Sequence, residues 1–90
     1  MDGIIHIDTP SGFSVDIPRT ALDDAVLVDY LMKVDDGNEL CIVKAAYRLV
    51  GQENKDRLFE FCKDAETGIT PFTKVVKVIY EILEAPELKK

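Results

Sequence analysis

Residues 3–17 alternate between apolar and polar side chains, with the period of two that is typical of β-strands. The segment Thr9-Pro10-Ser11-Gly12 interrupts this alternation with turn-forming residues, because Pro fixes one φ angle and Gly permits a positive one. We therefore expect a β-hairpin over residues 3–17. Its apolar face consists of Ile5, Ile7, Phe13, Val15 and Ile17, and its polar face of His6, Ser14 and Asp16.

From residue 20 onward, apolar positions recur every three or four residues, which predicts four amphipathic helices bounded by capping or helix-breaking residues. Thr20 and Asp23 form a capping-box-like start, and Asn38 is positioned to cap the second helix. The fourth helix has Thr70 as its expected cap and Pro71 at its first position. The four expected ranges are 21–34, 39–50, 54–65 and 71 to just before Ala85-Pro86.

The second of these helices is apolar around most of its circumference, so we expect it at the centre of the core. Its apolar positions are Leu40, Ile42, Val43, Ala45, Ala46, Tyr47, Leu49 and Val50. The third helix is expected to bury Leu58, Phe61, Cys62 and Ala65. The fourth is expected to bury Phe72, Val75, Val76, Ile79, Ile82 and Leu83.

These elements predict an α+β fold that is mostly helical, with an N-terminal β-hairpin followed by a bundle of about four α-helices. A chain of 90 residues is expected to form a single domain over residues 1–90, since half of it could not build a core of its own. Within that domain, the hairpin covers residues 3–17, the helical bundle residues 20–85, and a frayed tail residues 86–90.

Charge and composition narrow the classes of partner. The net charge of −6 disfavours nucleic acid and anionic membranes, and no apolar run approaches the roughly twenty residues needed to span a bilayer. The N-terminus lacks the features of a secretory signal, so we expect a cytoplasmic protein. Cys41 and Cys62 lie within apolar helical patterns and are expected to be reduced core residues.

The residues that could carry chemistry are few. His6 is the only histidine, and it lies on the polar face of the first strand, where a solvated role is expected. Asp23-Asp24 and Asp35-Asp36 are carboxylate pairs, but adjacent side chains on a helix diverge, so capping and turn roles are favoured. We therefore predict no catalytic residues, no metal site and no cofactor, and we give a hydrolase with an Asp pair the lowest rank among the alternatives.

The order of several short motifs matches a known pattern. A strand region over 4–17 precedes Asp23-Asp24, and the second helix ends in Leu49-Val50-Gly51-Gln52-Glu53. Another helix over 58–64, a break at Gly68 and an amphipathic helix over 72–83 follow. This order resembles the tail assembly chaperones of long-tailed bacteriophages and prophages, which are encoded beside the tape measure gene. The chain departs from that family after the Asp pair, where Ala25-Val26 replaces the aromatic residues common in its members.

The resemblance implies a non-enzymatic chaperone in the bacterial host cytoplasm that binds the tape measure protein and helps to recruit the tail tube protein. The alternative is an acidic regulatory or inhibitory protein, antitoxin-like or a mimic, whose carboxylates occupy a basic partner site. For either function, the partner-binding candidates are apolar side chains expected outside the inward faces of the helices. They are Phe59, Val78 and Tyr80, which are candidates for self-association as well.

Overall fold

The computed structural model describes residues 3–88 and contains two antiparallel strands followed by four α-helices. The strands are β1 (Ile4–Asp8) and β2 (Ser14–Pro18). The helices are α1 (Ala25–Asp35), α2 (Cys41–Val50), α3 (Gln52–Cys62) and α4 (Phe72–Leu83), followed by a 3-10 helix (Pro86–Leu88). The expected α+β, mostly helical fold with an N-terminal hairpin is confirmed.

The hairpin has the faces that its alternation predicts. Ile5 pairs with Ile17 and Ile7 with Val15, and these four side chains are buried on the face that meets the helices. In the turn, the Thr9 hydroxyl accepts a hydrogen bond from the Phe13 amide and donates one to the Phe13 carbonyl, both at 2.9 Å. The buried Thr9 is thereby satisfied, and the turn holds its shape through side-chain as well as backbone bonds.

The first two helices start later than expected because turns come before them. Ala21 and Asp23 donate backbone hydrogen bonds to Pro18 and Thr20, so the chain is still turning there. The carboxylate of Asp24 then accepts from the Val26 amide at 3.0 Å and caps α1 at Ala25, in place of the Thr20 capping box. Asn38 accepts the Cys41 amide through its backbone carbonyl, so α2 begins at Cys41 without a side-chain cap.

The later boundaries also differ by a few residues. Gly51, with a φ of +88°, reverses the chain so sharply that α3 begins directly after it at Gln52. α3 ends at Cys62 instead of Ala65. The side-chain carboxylate of Asp64 accepts a hydrogen bond from the Glu66 amide, so the chain forms a turn there instead of continuing the helix. Thr70 does not cap α4, since its hydroxyl donates to the Phe59 carbonyl at 3.3 Å.

The expected frayed tail is wrong for residues 86–88. They form the 3-10 helix, which contacts β1, and Leu88 is half-buried against the core. Pro86 favours such a turn because its ring restricts φ. Residues 89 and 90 of the expected tail lie outside the described residues.

α2 lies at the centre of the core, as its apolar character predicts, and packs against α1, α3 and β2. Its buried residues are Cys41, Ile42, Ala45, Ala46, Leu49 and Val50. Leu40 and Tyr47 were expected in this apolar surface but are exposed, as are Phe61 and Ala65 of the expected third-helix face. Cys41 and Cys62 are buried and free, which confirms the prediction for both. Within residues 3–88, no helix is long and apolar enough to cross a membrane.

Candidate partner-binding groove

One edge of α4 carries a row of large side chains that the neighbouring elements leave partly uncovered. Phe72, Val76 and Tyr80 are spaced four residues apart, so they align along one side of the helix. Phe72 is 36% exposed, Tyr80 is 37% exposed, and Val76 is half-buried. The face beside them is fully packed and consists of Val75, Val78, Ile79 and Ile82. α4 therefore has a buried face and, next to it, an apolar row that can contact another molecule.

This row forms one wall of a groove. The groove is also lined by Val34, near the C-terminal end of α1, and by the buried Ile42, in the first turn of α2. The groove has a volume of about 450 Å³, which lies within the usual range of binding pockets. We call it the α1–α4 groove. Its lining is Val34, Asp35, Glu39, Ile42, Phe72, Thr73, Val76 and Tyr80.

Two carboxylates lie at the edge of the α1–α4 groove. Asp35 ends α1, Glu39 follows in the connection to α2, and both side chains are exposed. Neither forms an ion pair with a cation among residues 3–88. Two carboxylates beside apolar side chains favour a ligand that combines apolar side chains with Lys or Arg. The groove is therefore suited to one face of a basic amphipathic helix.

The three residues proposed from the sequence have different environments. Tyr80 lies in the α1–α4 groove and is exposed enough to contact a partner. Val78 is 3% exposed, so the expectation that it lies outside the inward face is wrong. Phe59 is half-buried against the core, with the Lys55 ammonium 5.0 Å from its ring centroid. Of the three, only Tyr80 lines the α1–α4 groove.

Val78 is buried because the inward face of α4 is rotated about the helix axis relative to the face that the sequence predicts. The buried side chains are centred roughly 50° away from the expected centre, at about 100° per residue. On that side, the hairpin turn contacts α4, where the Ser11 amide and hydroxyl donate to Glu81 at 3.1 and 2.8 Å. Glu81 is three residues from Val78 and so shares its side of the helix. The hairpin turn thus lies on the side of α4 where Val78 is buried, and the Phe72 edge is left partly exposed.

Among the α4 residues that line the groove, Phe72 and Val76 are the two that the sequence assigned to the core. Their spacing with Tyr80 is a visible signal, since positions i, i+4 and i+8 align on a helix. The same spacing is typical of a core face, so periodicity alone could not separate the two roles. Only the tertiary structure shows that Val34 and Ile42 line the same groove as this row.

The groups with possible reactivity contact neighbouring carboxylates or are buried. His6 is exposed, and both of its ring nitrogens contact carboxylates, with Nδ1 2.6 Å from Asp16 and Nε2 3.0 Å from Asp8. The Ser14 hydroxyl donates to Asp8 and not to the imidazole, so His6 does not act on it as a base. Burial raises the pKa of the Cys62 thiol, which disfavours its thiolate. No group of three or more His, Cys, Asp and Glu side chains in the described part of the chain could hold a metal ion.

Comparisons of this chain with protein-family models, with curated proteins and with solved structures find no match.

Proposed function

We propose that this protein binds an apolar helical segment of another protein in the α1–α4 groove and keeps that segment soluble during assembly. The observation that carries the proposal is the partly uncovered row of Phe72, Val76 and Tyr80. Helices that bind in grooves present apolar side chains at i, i+3 or i+4, and i+7, which is the spacing that can interdigitate with such a row. One face of a helix could therefore pack against this row within the groove.

The rim of the groove defines the chemistry of the segment. Asp35 and Glu39 favour a helix whose apolar face is flanked by Lys or Arg. The negative charge of the whole chain, −6, adds a long-range attraction to a basic segment. A groove of about 450 Å³ also covers only a short stretch of helix, which supports a transient complex. Transient binding is what an assembly chaperone requires, because its client must later be released.

We further propose that the client is a tape measure protein and that the chain acts as a phage or prophage tail assembly chaperone. The support is the order of motifs in the sequence, from the Asp23-Asp24 pair through Leu49-Val50-Gly51 to the last helix. Tape measure proteins consist largely of long hydrophobic helices, and the α1–α4 groove is suited to such helices. Recruitment of the tail tube protein belongs to the same proposal.

A defined peptide tests binding in the groove. The probe is a fluorescein-labelled amphipathic helix of about eighteen residues with a Leu face flanked by Lys. We expect Tyr80→Ser to weaken its binding by about tenfold, because the variant removes an aromatic contact from the groove. Tyr47→Ser is the matched control, since Tyr47 is 48% exposed but lies outside the groove. Equal affinities of Tyr80→Ser and the wild type, with both folded by circular dichroism, would contradict the proposal.

Co-expression tests the chaperone role. A helical segment of a tape measure protein is produced with the wild-type chain, with Tyr80→Ser or with an unrelated acidic protein of similar size. We expect the wild type to raise the soluble fraction of the segment, and Tyr80→Ser to raise it less. A soluble fraction no higher than with the unrelated protein would exclude this client while leaving the peptide result intact.

The second candidate function is that of an acidic regulatory or inhibitory protein. It is favoured by the exposed carboxylates of Asp35 at the end of α1 and of Asp36 and Glu39 in the connection to α2. Salt separates the two functions, because screening weakens contacts between exposed charges and leaves apolar contacts in place. Complete loss of binding between about 0.05 and 0.5 M salt favours the acidic inhibitor. Binding that largely persists favours the apolar groove.

A further inference from the structure

A second groove lies between α1, α2 and α3 and has the opposite charge. It has a volume of about 410 Å³ and shares no residue with the α1–α4 groove. Its apolar lining includes Tyr30 of α1 and Tyr47 of α2, and its polar lining includes three cations, Lys44, Arg48 and Lys55. No Asp or Glu lines it. We call it the cationic groove, and it is unexpected in a chain with a net charge of −6.

The three cations differ in how far neighbouring carboxylates neutralise them. Arg48 donates two hydrogen bonds to Asp24, at 3.0 and 2.9 Å, and so joins α2 to the start of α1. The Lys55 ammonium lies 3.7 Å from the carboxylate of Asp56. Lys44 forms no ion pair with any carboxylate among residues 3–88. Lys44 is therefore the cation that can attract a new carboxylate at the least cost.

The two tyrosines supply contact area beside these charges. Tyr47 is 48% exposed, and Tyr30 is half-buried with the Lys44 ammonium 5.8 Å from its ring centroid. Tyrosine side chains lose little conformational entropy on binding because they have only two rotatable side-chain bonds that need fixing. A ligand with an apolar side chain for Tyr47 and a carboxylate for Lys44 would satisfy both features of the groove.

We infer that the cationic groove binds an acidic amphipathic segment of a partner protein, with its carboxylates at Lys44 and Lys55 and its apolar face on Tyr47. Charge complementarity selects this occupant, since the lining holds three cations and no anion. The site goes beyond the proposed function, because it has different residues and recognises the opposite charge. Together, the two grooves make the chain an adaptor that can hold one basic and one acidic segment at once.

Fluorescence anisotropy with a labelled peptide tests this site. The probe is an amphipathic helix with a Leu face flanked by Glu, and the comparison peptide has every Glu replaced by Lys. We expect the Glu peptide to bind the wild-type chain and Lys44→Glu to weaken that binding by at least about tenfold. Lys33→Glu is the matched control, because the Lys33 ammonium also lies 5.9 Å from the Tyr30 ring but does not line the groove.

Other variants and ligands separate this site from its alternatives. Tyr47→Ser should also weaken binding of the Glu peptide, whereas Tyr80→Ser should not. A negative result for one groove therefore does not imply a negative result for the other. The inference is overturned if the Glu peptide does not bind or if Lys44→Glu leaves its affinity unchanged. It is also overturned if inorganic phosphate displaces the peptide at equal concentration, which indicates a general anion site. Self-association in sedimentation that Lys44→Glu abolishes would overturn it too, by making a second copy the occupant.

Discussion

At the scale of single residues, His6 on the exposed face of the hairpin contacts two carboxylates. Its ring bridges the two strands, because Asp16 lies directly opposite on β2 and Asp8 lies two residues along β1. The hydrogen bond to Asp16 is the largest cause that raises the pKa of His6 above 6.5, and the bond to Asp8 is the next. The pKa of Asp8 is lowered from 3.8, first by the hydroxyl of Ser14 and then by His6.

These shifts predict that His6 stabilises the hairpin in acid. A raised folded pKa gives a stabilisation that is complete below 6.5 and is lost as the pH rises through the folded value. The lowered pKa of Asp8 gives a second stabilisation, which is present above pH 3.8 and is lost as the pH falls through the pKa of Asp8 in the folded state. Both contributions are therefore present between 3.8 and 6.5.

The measurement is the thermal midpoint of the wild type and of His6→Gln from pH 4 to pH 9. We expect the difference between them to be largest near pH 5 and to shrink at alkaline pH, where the imidazole is neutral. Phosphate and acetate buffers at matched ionic strength serve as the control, because the pairs are exposed and sensitive to screening. A difference that is constant across this range would show that the bridge has no ionic component.

At the scale of elements, α1 and α4 are both rich in apolar residues but are covered to different extents. α1 buries only Leu27 completely, although Val26, Val28 and Met32 are also apolar. Its start is held by Asp24, whose pKa is lowered chiefly by the hydrogen bond from Arg48. α4 buries four side chains. α1 therefore packs against α2 with a single fully buried side chain, whereas α4 packs with a continuous buried face.

The same substitution on the two helices tests this difference. Val78 of α4 is 3% exposed and Val28 of α1 is 46% exposed. We expect Val78→Ala to lower the free energy of unfolding by roughly 1–3 kcal/mol, because it leaves a cavity in the core. Val28→Ala should change it by about 0.5 kcal/mol or less, and Ala has the higher helix propensity. Urea unfolding measures both values, and equal losses would show that the burial of Val78 is not the cause.

At the scale of the whole molecule, side-chain hydrogen bonds join the hairpin to the helices. Asn54 and Arg57 of α3 donate to the carbonyls of Asp16 and Ser14 in β2, at 3.3 and 3.1 Å. The hairpin turn is joined to α4 through Ser11 and Glu81, as described above. A two-stranded hairpin is marginal by itself in water, so its packing on α2 and these bonds stabilise it. We therefore expect hairpin and helices to unfold together.

The two cysteines report on this cooperativity. Cys41 is 7% and Cys62 3% exposed, and burial raises the pKa of the Cys62 thiol. We expect both thiols to react slowly with a disulfide reagent at neutral pH, and Cys41 to react first, because it follows the exposed connection 36–40. The Cys41→Ser and Cys62→Ser variants each retain one thiol, so they show which labelling rate belongs to which cysteine. Rapid labelling of Cys62 in the native protein would show that α3 opens independently of the rest.

The sequence by itself determined the elements and most residues of the core. Alternation along residues 3–17 and helical spacing after them depend on local geometry, so they predict the hairpin, the helices and the burial of both cysteines. Boundaries were less predictable, because Asp24 competes with Thr20 for the start of α1 and only its contact with Arg48 and the Val26 amide favours Asp24.

Only the tertiary structure decided which apolar side chains stay uncovered. The sequence predicted that Tyr80 and Val78 lie outside the inward face of α4 and that Phe72 lies on it. In the structure Val78 is buried, whereas Phe72 and Tyr80 are partly exposed. The cationic groove was hidden as well, since Tyr30, Lys44 and Lys55 belong to three different helices. Helical periodicity defines the apolar side of each helix, but the covered part of that side depends on where distant segments pack. Both grooves are products of that packing.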